Sequence, residues 1–298
     1  MLQNTILKEN KSIIYLNSLF ELMKPRVMSL VIFTCIVGML IAPTQTSLIS
    51  ACISIIAVAI GAGAAGTLNM WYEADLDALM SRTCLRPIPT GKVSKKQALI
   101  FGIFTSTLSV VVLYFASNFL SAFMLTITIL FYVVIYTMWL KKRTAQNIVI
   151  GGAAGAFPPI IGWTIATGSI NIEPIILFLI IFFWTPSHFW ALSLFKTEDY
   201  SNAKIPMLPI VAGVKTTKIN IFIYSIILFV ISILPPLFGY FGQVYLLFSF
   251  LLGSYYVYLC YNLLITKDND KPISKRIFVY SILYLFLIFS IILIDNII

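Results

Sequence analysis

Nine apolar runs dominate this chain, at 27–43, 48–71, 97–117, 120–140, 147–166, 174–194, 218–238, 244–265 and 277–295. Crossing the roughly 30 Å of bilayer hydrocarbon takes about 20 helical residues, so each run is close to the length of one membrane crossing. In lipid the backbone must satisfy its hydrogen bonds within the segment, and runs of this length therefore read as helices.

The charges test that division independently, because Lys and Arg are retained on the cytoplasmic side of bacterial-type membranes. With the N-terminus inside, all 20 basic residues fall on one face. Lys8, Lys11, Lys24 and Arg26 precede the first run, and Arg82, Arg86, Lys92, Lys95 and Lys96 follow the second. Lys141, Lys142 and Arg143 follow the fourth; Lys196, Lys204, Lys215 and Lys218 follow the sixth; Lys267, Lys271, Lys275 and Arg276 follow the eighth. A miscounted run would scatter them. The pattern predicts an all-α polytopic protein of nine transmembrane helices in a bacterial-type inner (plasma) membrane, multi-pass, N-terminus cytoplasmic and C-terminus opposite. The whole of 1–298 reads as one membrane-embedded domain with a cytoplasmic N-terminal segment at 1–26.

Only 10% of the residues are charged, against about 25% in a soluble domain. The net charge of +9 follows from the topology signal and suits anionic membrane lipid as a partner, so it calls for no nucleic acid. Cys35, Cys52, Cys84 and Cys260 have neither zinc-site nor disulfide spacing. The N-terminus has no small-residue cleavage site, and Ile13, Ile14, Leu16, Leu19, Phe20 and Met23 suggest a short helix on the membrane surface. Gly61-Ala62-Gly63-Ala64-Ala65-Gly66 and Gly151-Gly152-Ala153-Ala154-Gly155 read as close packing seams. Pro158, Pro159, Pro186, Pro235 and Pro236 should kink or end their helices, and a kink can also open a cavity.

Two inward connections, about 72–96 and 195–217, are long and carry both signs of charge, which places candidate chemistry there. Asn69, Glu73 and Asp77 are spaced i, i+4, i+8. On a helix each step advances only about 40°, which stacks three oxygen-bearing side chains on one face about 6 Å apart. Carboxylates so placed at a membrane edge repel one another unless a cation sits between them. Magnesium takes a few carboxylates and completes its shell with water and phosphate oxygens, and Arg82 and Arg86 nearby suit phosphate. The other reading has these carboxylates pairing with Arg82, Arg86 and nearby lysines on a wet loop. Asp75 points away from the other three.

His188, the single histidine, lies in Trp184-Thr185-Pro186-Ser187-His188-Phe189-Trp190. It reads either as a hydrogen-bonded packing residue or, flanked by aromatic rings, as an anchor or axial ligand for a large flat substrate. Glu198 and Asp199 read as a second metal site or as a solvated pair.

At these residues the sequence resembles the UbiA superfamily of intramembrane prenyltransferases, in its haem-modifying branch. Carrying the resemblance are Asn69-x3-Glu73-x3-Asp77, Met80-Ser81-Arg82-Thr83-x2-Arg86-Pro87, Lys24-Pro25-Arg26, the stretch from Gln146 to Gly155, and Thr185 to Pro209. Glu73 stands where many members have Asp, Ser187 replaces a proline usual beside Pro186, and the second acidic motif is reduced to Asp199. The resemblance implies nine helices around a central cavity capped by the two polar loops. It implies farnesyl transfer from farnesyl diphosphate to a vinyl group of haem B, with water addition to give haem O, and Mg2+ as cofactor. Asn69, Glu73, Asp77 and Asp199 would hold metal and diphosphate, joined at the diphosphate by Arg26, Arg82, Arg86, Lys142 and Tyr136. His188, Trp184 and Trp190 would face the haem, and haem A synthase or oxidase-assembly factors become candidate partners.

A sister enzyme acting on an aromatic acid such as 4-hydroxybenzoate would share the first motif but not the histidine stretch. A secondary transporter would place charge near the bilayer midplane, whereas every acidic residue here lies near a predicted edge or in a loop. An assembly scaffold would have no need of the stacked Asn69, Glu73 and Asp77.

Overall fold

A computed structural model describes residues 13–44, 46–267 and 270–297; Lys8 and Lys11 lie outside them. The described chain is helical throughout its apolar runs. Helix α1 is Ile13–Leu22, followed by α2 (Pro25–Leu40), α3 (Leu48–Tyr72), a single turn α4 (Ala74–Asp77), α5 (Lys95–Ala116) and α6 (Phe119–Leu130). A π-helical segment, Phe131–Leu140, continues α6. Then come α7 (Asn147–Ala156), α8 (Pro158–Thr167), α9 (Ile172–Phe195), the short α10 (Thr197–Asn202) and α11 (Leu208–Val211), α12 (Gly213–Ile233), α13 (Gln243–Ile265) and α14 (Asp270–Ile297).

Among the described residues, eight helical segments are long and apolar enough to cross a membrane, and the bent pair α1–α2 supplies a ninth candidate. Helix α2 has 16 residues, about 24 Å of rise, a little short of a full crossing. Between α1 and α2 the axis turns by 51°, because Lys24 takes a left-handed backbone conformation at φ 52° just before Pro25. On α1, Leu22 packs against Met70, Ala74, Ile88 and Val93, while Ile13, Ile14, Leu16 and Phe20 remain exposed. That two-faced pattern is what an interfacial helix requires.

Two apolar clusters build the bundle. One joins α3, α5, α6 and α8 through residues such as Ala57, Leu68, Leu113, Leu125 and Ile161. The other joins α9, α12, α13 and α14 through Leu177, Ile221, Tyr256, Tyr284 and Ile288. Helices α2 and α8 sit between them. Their backbones touch: a side chain on Gly38 would strike the Pro159 backbone, and one on Gly162 the Cys35 carbonyl. Gly151 lies against the Tyr136 ring and Gly152 against Thr185, whereas Gly155, assigned from sequence to the same seam, has nothing within 4 Å. Proline positions behave as expected at Pro158, which opens α8, while Pro186 is carried inside the continuous α9.

Candidate active site

Helix α3 ends at Glu73, whose φ −94°, ψ 8° lies in the sparsely populated bridge region. The i→i+4 bonds nevertheless run on, from Glu73 N–H to the Asn69 carbonyl and from Asp77 N–H to that of Glu73. Asn69, Glu73 and Asp77 therefore keep their shared register, and each is only 3% exposed. Asp75 points out and pairs with Lys95.

Each member of the stack meets a cation from elsewhere in the chain. Lys24 Nζ donates to Asn69 Oδ1 at 2.7 Å. Lys141 Nζ lies 2.6 Å from the Glu73 carboxylate, and Arg86 Nη1 donates to both Asp77 oxygens at 2.8 and 2.7 Å. These are buried contacts, unlike the solvated pairs of a wet loop, and breaking one would leave an uncompensated charge. Holding Lys24 in its left-handed conformation costs roughly 1–2 kcal/mol, and this residue carries the ammonium to Asn69.

The π-helical segment supplies the opposite wall. Its i→i+5 bonds, including Lys141 N–H to the Tyr136 carbonyl, wind the chain more loosely than an α-helix and rotate its face. Thr137 then accepts from Asn69 Nδ2 at 3.1 Å, and Lys141 turns to Glu73. Lys142, the sequence candidate, lies instead over the Tyr72 ring, 5.6 Å from its centroid. Tyr136 packs on Gly151 beside the cluster. Arg26 and Arg82 are exposed, and among the described residues neither forms an ion pair. Thr137 and Lys141 were missed because the local twist that aims them leaves no mark in an apolar helix sequence; Lys24 stood in the Lys24-Pro25-Arg26 motif, but its reach to Asn69 depends on a left-handed backbone conformation.

Electrostatics follow from this packing. Burial, with the neighbouring Arg86 and Lys141 charges, pulls the Lys24 ammonium down to about 7 against the opposing pull of Glu73 and Asp77. Burial alone would push the Glu73 carboxyl up, but the Lys141 charge and hydrogen bond, with Lys24 and Asn69, hold it below its ordinary value. Both Glu73 oxygens face Lys141 Nζ at 2.6 Å, Oε2 as a hydrogen bond and the buried Oε1 as an ion pair not aligned for one. Two buried carboxylates and an amide oxygen on one helical face are a donor set that fits a divalent cation bringing most of its own ligands. Among the described residues no three His, Cys, Asp or Glu side chains converge as a closed metal cage.

Asp199 does not join the stack directly. It accepts from the Ser81 hydroxyl at 2.8 and 3.0 Å and from the Ser81 N–H at 3.3 Å, tying the second polar loop to the first. Beneath that tie Met80, Ile148, Tyr200, Ile205 and Met207 form an apolar cluster with Phe189 against it. Glu198 is exposed and reaches Lys271.

His188 sits one position before Phe189 on α9. Its ring lies between Trp184, at 4.3 Å and 18°, and Phe278 of α14, at 4.6 Å and 23°. Trp190 is two residues on, about 200° round the helix, and packs on Tyr224 instead. Phe278 therefore takes the place that sequence reasoning had given to Trp190. Gly152, against Thr185 one turn before His188, and Gly151, against Tyr136, connect this aromatic slot to the charged cluster.

The UbiA prenyltransferase family profile matches residues 31–282. The chain is 62% identical over 284 residues to the protoheme IX farnesyltransferase of Pelagibacter ubique, covering 94% of this chain and 93% of that one. It is 51% identical to the protein of that name from Parvibaculum lavamentivorans, covering 93% and 88%. Among solved structures, digeranylgeranylglyceryl phosphate synthase superposes with a TM-score of 0.79 at 19% identity, covering 95% of this chain and 99% of that one. A UbiA homologue from Archaeoglobus fulgidus bound to GPP and Mg2+ gives 0.65 at 16% identity, covering 92% and 99%.

Proposed function

The chain belongs to the UbiA prenyltransferase family, and from that premise we propose that it transfers a farnesyl group from farnesyl diphosphate to a vinyl group of haem B, giving haem O and diphosphate. The observation that carries the reading is the buried stack of Asn69, Glu73 and Asp77, each faced by Lys24, Lys141 or Arg86, with the His188 aromatic slot joined to it across Gly151 and Gly152. The sequence relatives named protoheme IX farnesyltransferase supply the acceptor.

Three cations face two carboxylates, so the cluster carries one surplus positive charge when Lys24 is protonated. A prenyl diphosphate trianion arriving with one magnesium ion brings one net negative charge and neutralises it. Glu73, Asp77 and Asn69 would hold the metal; when bound, magnesium supplies charge neutralisation to the departing diphosphate. Lys24 then leaves the Asn69 amide oxygen, Lys141 and Arg86 leave their carboxylates, and all three turn to diphosphate oxygens, where fixed cations stabilise the charge that develops as the allylic C–O bond breaks. Arg82 and Tyr136 border the same space. The vinyl group attacks the farnesyl C1, forming a C–C bond and a cation beside the porphyrin. Water adds there and loses a proton. Ile148, Phe189 and Met207 beneath the loops keep water from the earlier cation. His188, Trp184 and Phe278 face the haem, and Asp199 holds the loops together.

The basic end of the bundle is assigned to the cytoplasmic side of a bacterial-type inner membrane, with the C-terminus opposite. The test is mass spectrometry of haem after the lipid-reconstituted protein has been incubated with haem B, farnesyl diphosphate and magnesium. A farnesylated, hydrated haem is expected; a folded sample that makes none would overturn the assignment.

A further inference from the structure

His188 has two ring nitrogens, and only one has a protein partner among the described residues. Nδ1 lies 2.6 Å from the Ser281 hydroxyl oxygen. That same oxygen lies 2.7 Å from the Phe278 carbonyl, one turn back on α14. A serine hydroxyl has one proton to give. If it goes to Nδ1, the carbonyl loses that bond and Nε2 carries a hydrogen with no acceptor. If it goes to the carbonyl, Nδ1–H donates to the serine oxygen, both bonds form, and Nε2 is left as a bare lone pair. The second arrangement makes two hydrogen bonds where the first makes one. The geometry therefore selects the Nδ1–H tautomer.

The same residue is held at its other end. Trp184, one turn before His188, donates its indole N–H to the Ser281 carbonyl at 2.8 Å. Ser281 thus receives two side chains of α9, one on its hydroxyl and one on its backbone, while the imidazole is clamped between the Trp184 and Phe278 rings. Ring plane, ring position and tautomer are all set before any ligand arrives.

We infer that Ser281 is a positioning residue that presents His188 Nε2 as the axial ligand for the iron of a haem substrate, the outer partner that an iron-binding imidazole requires. This rests on the assignment of the His188 slot to haem. Fixing the iron at one height from α9 would hold the reacting vinyl group at a constant depth relative to the diphosphate cluster.

The test is a titration of ferric haem B into the purified protein in nanodiscs, followed by its visible and electron paramagnetic resonance spectra, for wild type and three variants. Ser281→Ala removes a single oxygen and keeps the carbonyl that Trp184 holds, so docking of α9 on α14 survives. It is expected to lose the imidazole-ligated signature or weaken haem affinity by about ten-fold, with the KM for farnesyl diphosphate unchanged. Ser281→Thr keeps the hydroxyl and should restore both. His188→Ala should abolish the signature outright. If His188→Ala loses the signature while Ser281→Ala matches wild type in spectrum and affinity, Ser281 has no positioning role and the haem slot stands. If His188→Ala keeps the wild-type spectrum, the iron is held elsewhere and both readings fall.

Discussion

Lys141 Nζ sits 2.6 Å from the carboxylate of Glu73, a residue 68 positions earlier in the chain. The pair joins the π-helical segment after α6 to the end of α3, and both side chains are largely buried. A contact of this kind serves two ends at once: it neutralises a carboxylate that lipid and packing would otherwise penalise, and it stores a cation where a diphosphate can claim it.

Removing the lysine alone should therefore hurt twice. Lys141→Met leaves Glu73 as a buried charge with a diminished counter-ion, at an expected cost of about 3 kcal/mol, the scale of breaking a buried pair. The double variant Lys141→Met with Glu73→Gln should regain most of that stability but none of the turnover. Thermal unfolding in detergent and haem product analysis measure the two effects separately; recovery of turnover in the double variant would remove the pair from the reaction.

Glu73→Gln and Asp77→Asn should each lower turnover by about 10² or more with the protein still folded. Size-exclusion profiles and turnover at several magnesium concentrations check this. Near-normal turnover in both would take them out of the metal site.

Neighbouring lysines should differ sharply. Lys142→Ala loses only a cation–π contact with Tyr72, at about 0.5–1 kcal/mol for such an exposed contact, and its turnover should stay within about five-fold of wild type on that scale. Lys141→Ala should lose about 10². Equal losses at both positions would mean that the π-helical rotation does not aim the site.

Glycine substitutions should separate seams from bystanders. Gly162→Ala drives a methyl group into the Cys35 backbone, which cannot step aside, and should cost about 1–3 kcal/mol or more. Gly155→Ala meets open space and should be neutral to slightly stabilising, since alanine is the better helix former. Unfolding temperatures of the two variants decide the matter.

Ser81→Ala cuts the hydroxyl bond that ties the first polar loop to Asp199. Faster limited proteolysis within 73–94 and a several-fold higher KM for farnesyl diphosphate are expected, with haem affinity unchanged. Unaltered proteolysis would show that the apolar cluster around Met80 and Tyr200 alone closes the loops.

Much of this protein was legible in its residues. The bilayer acts on a chain through length and apolarity, both of which are linear properties, and so the helical spans could be read directly. The shared register of Asn69, Glu73 and Asp77 is equally local, since it depends only on helical periodicity. What side chains meet across the bundle is another kind of question. Lys141 rather than Lys142 reaches Glu73 because a π-helical twist rotates the end of that span, and Phe278 rather than Trp190 covers His188 because α14 packs on one face of α9. Lys24 reaches Asn69 only through a left-handed residue before Pro25, and Ser281 meets His188 from 93 positions away. Such contacts depend on how helices pack, a balance of many small terms spread over the whole chain, and only the folded structure resolves it.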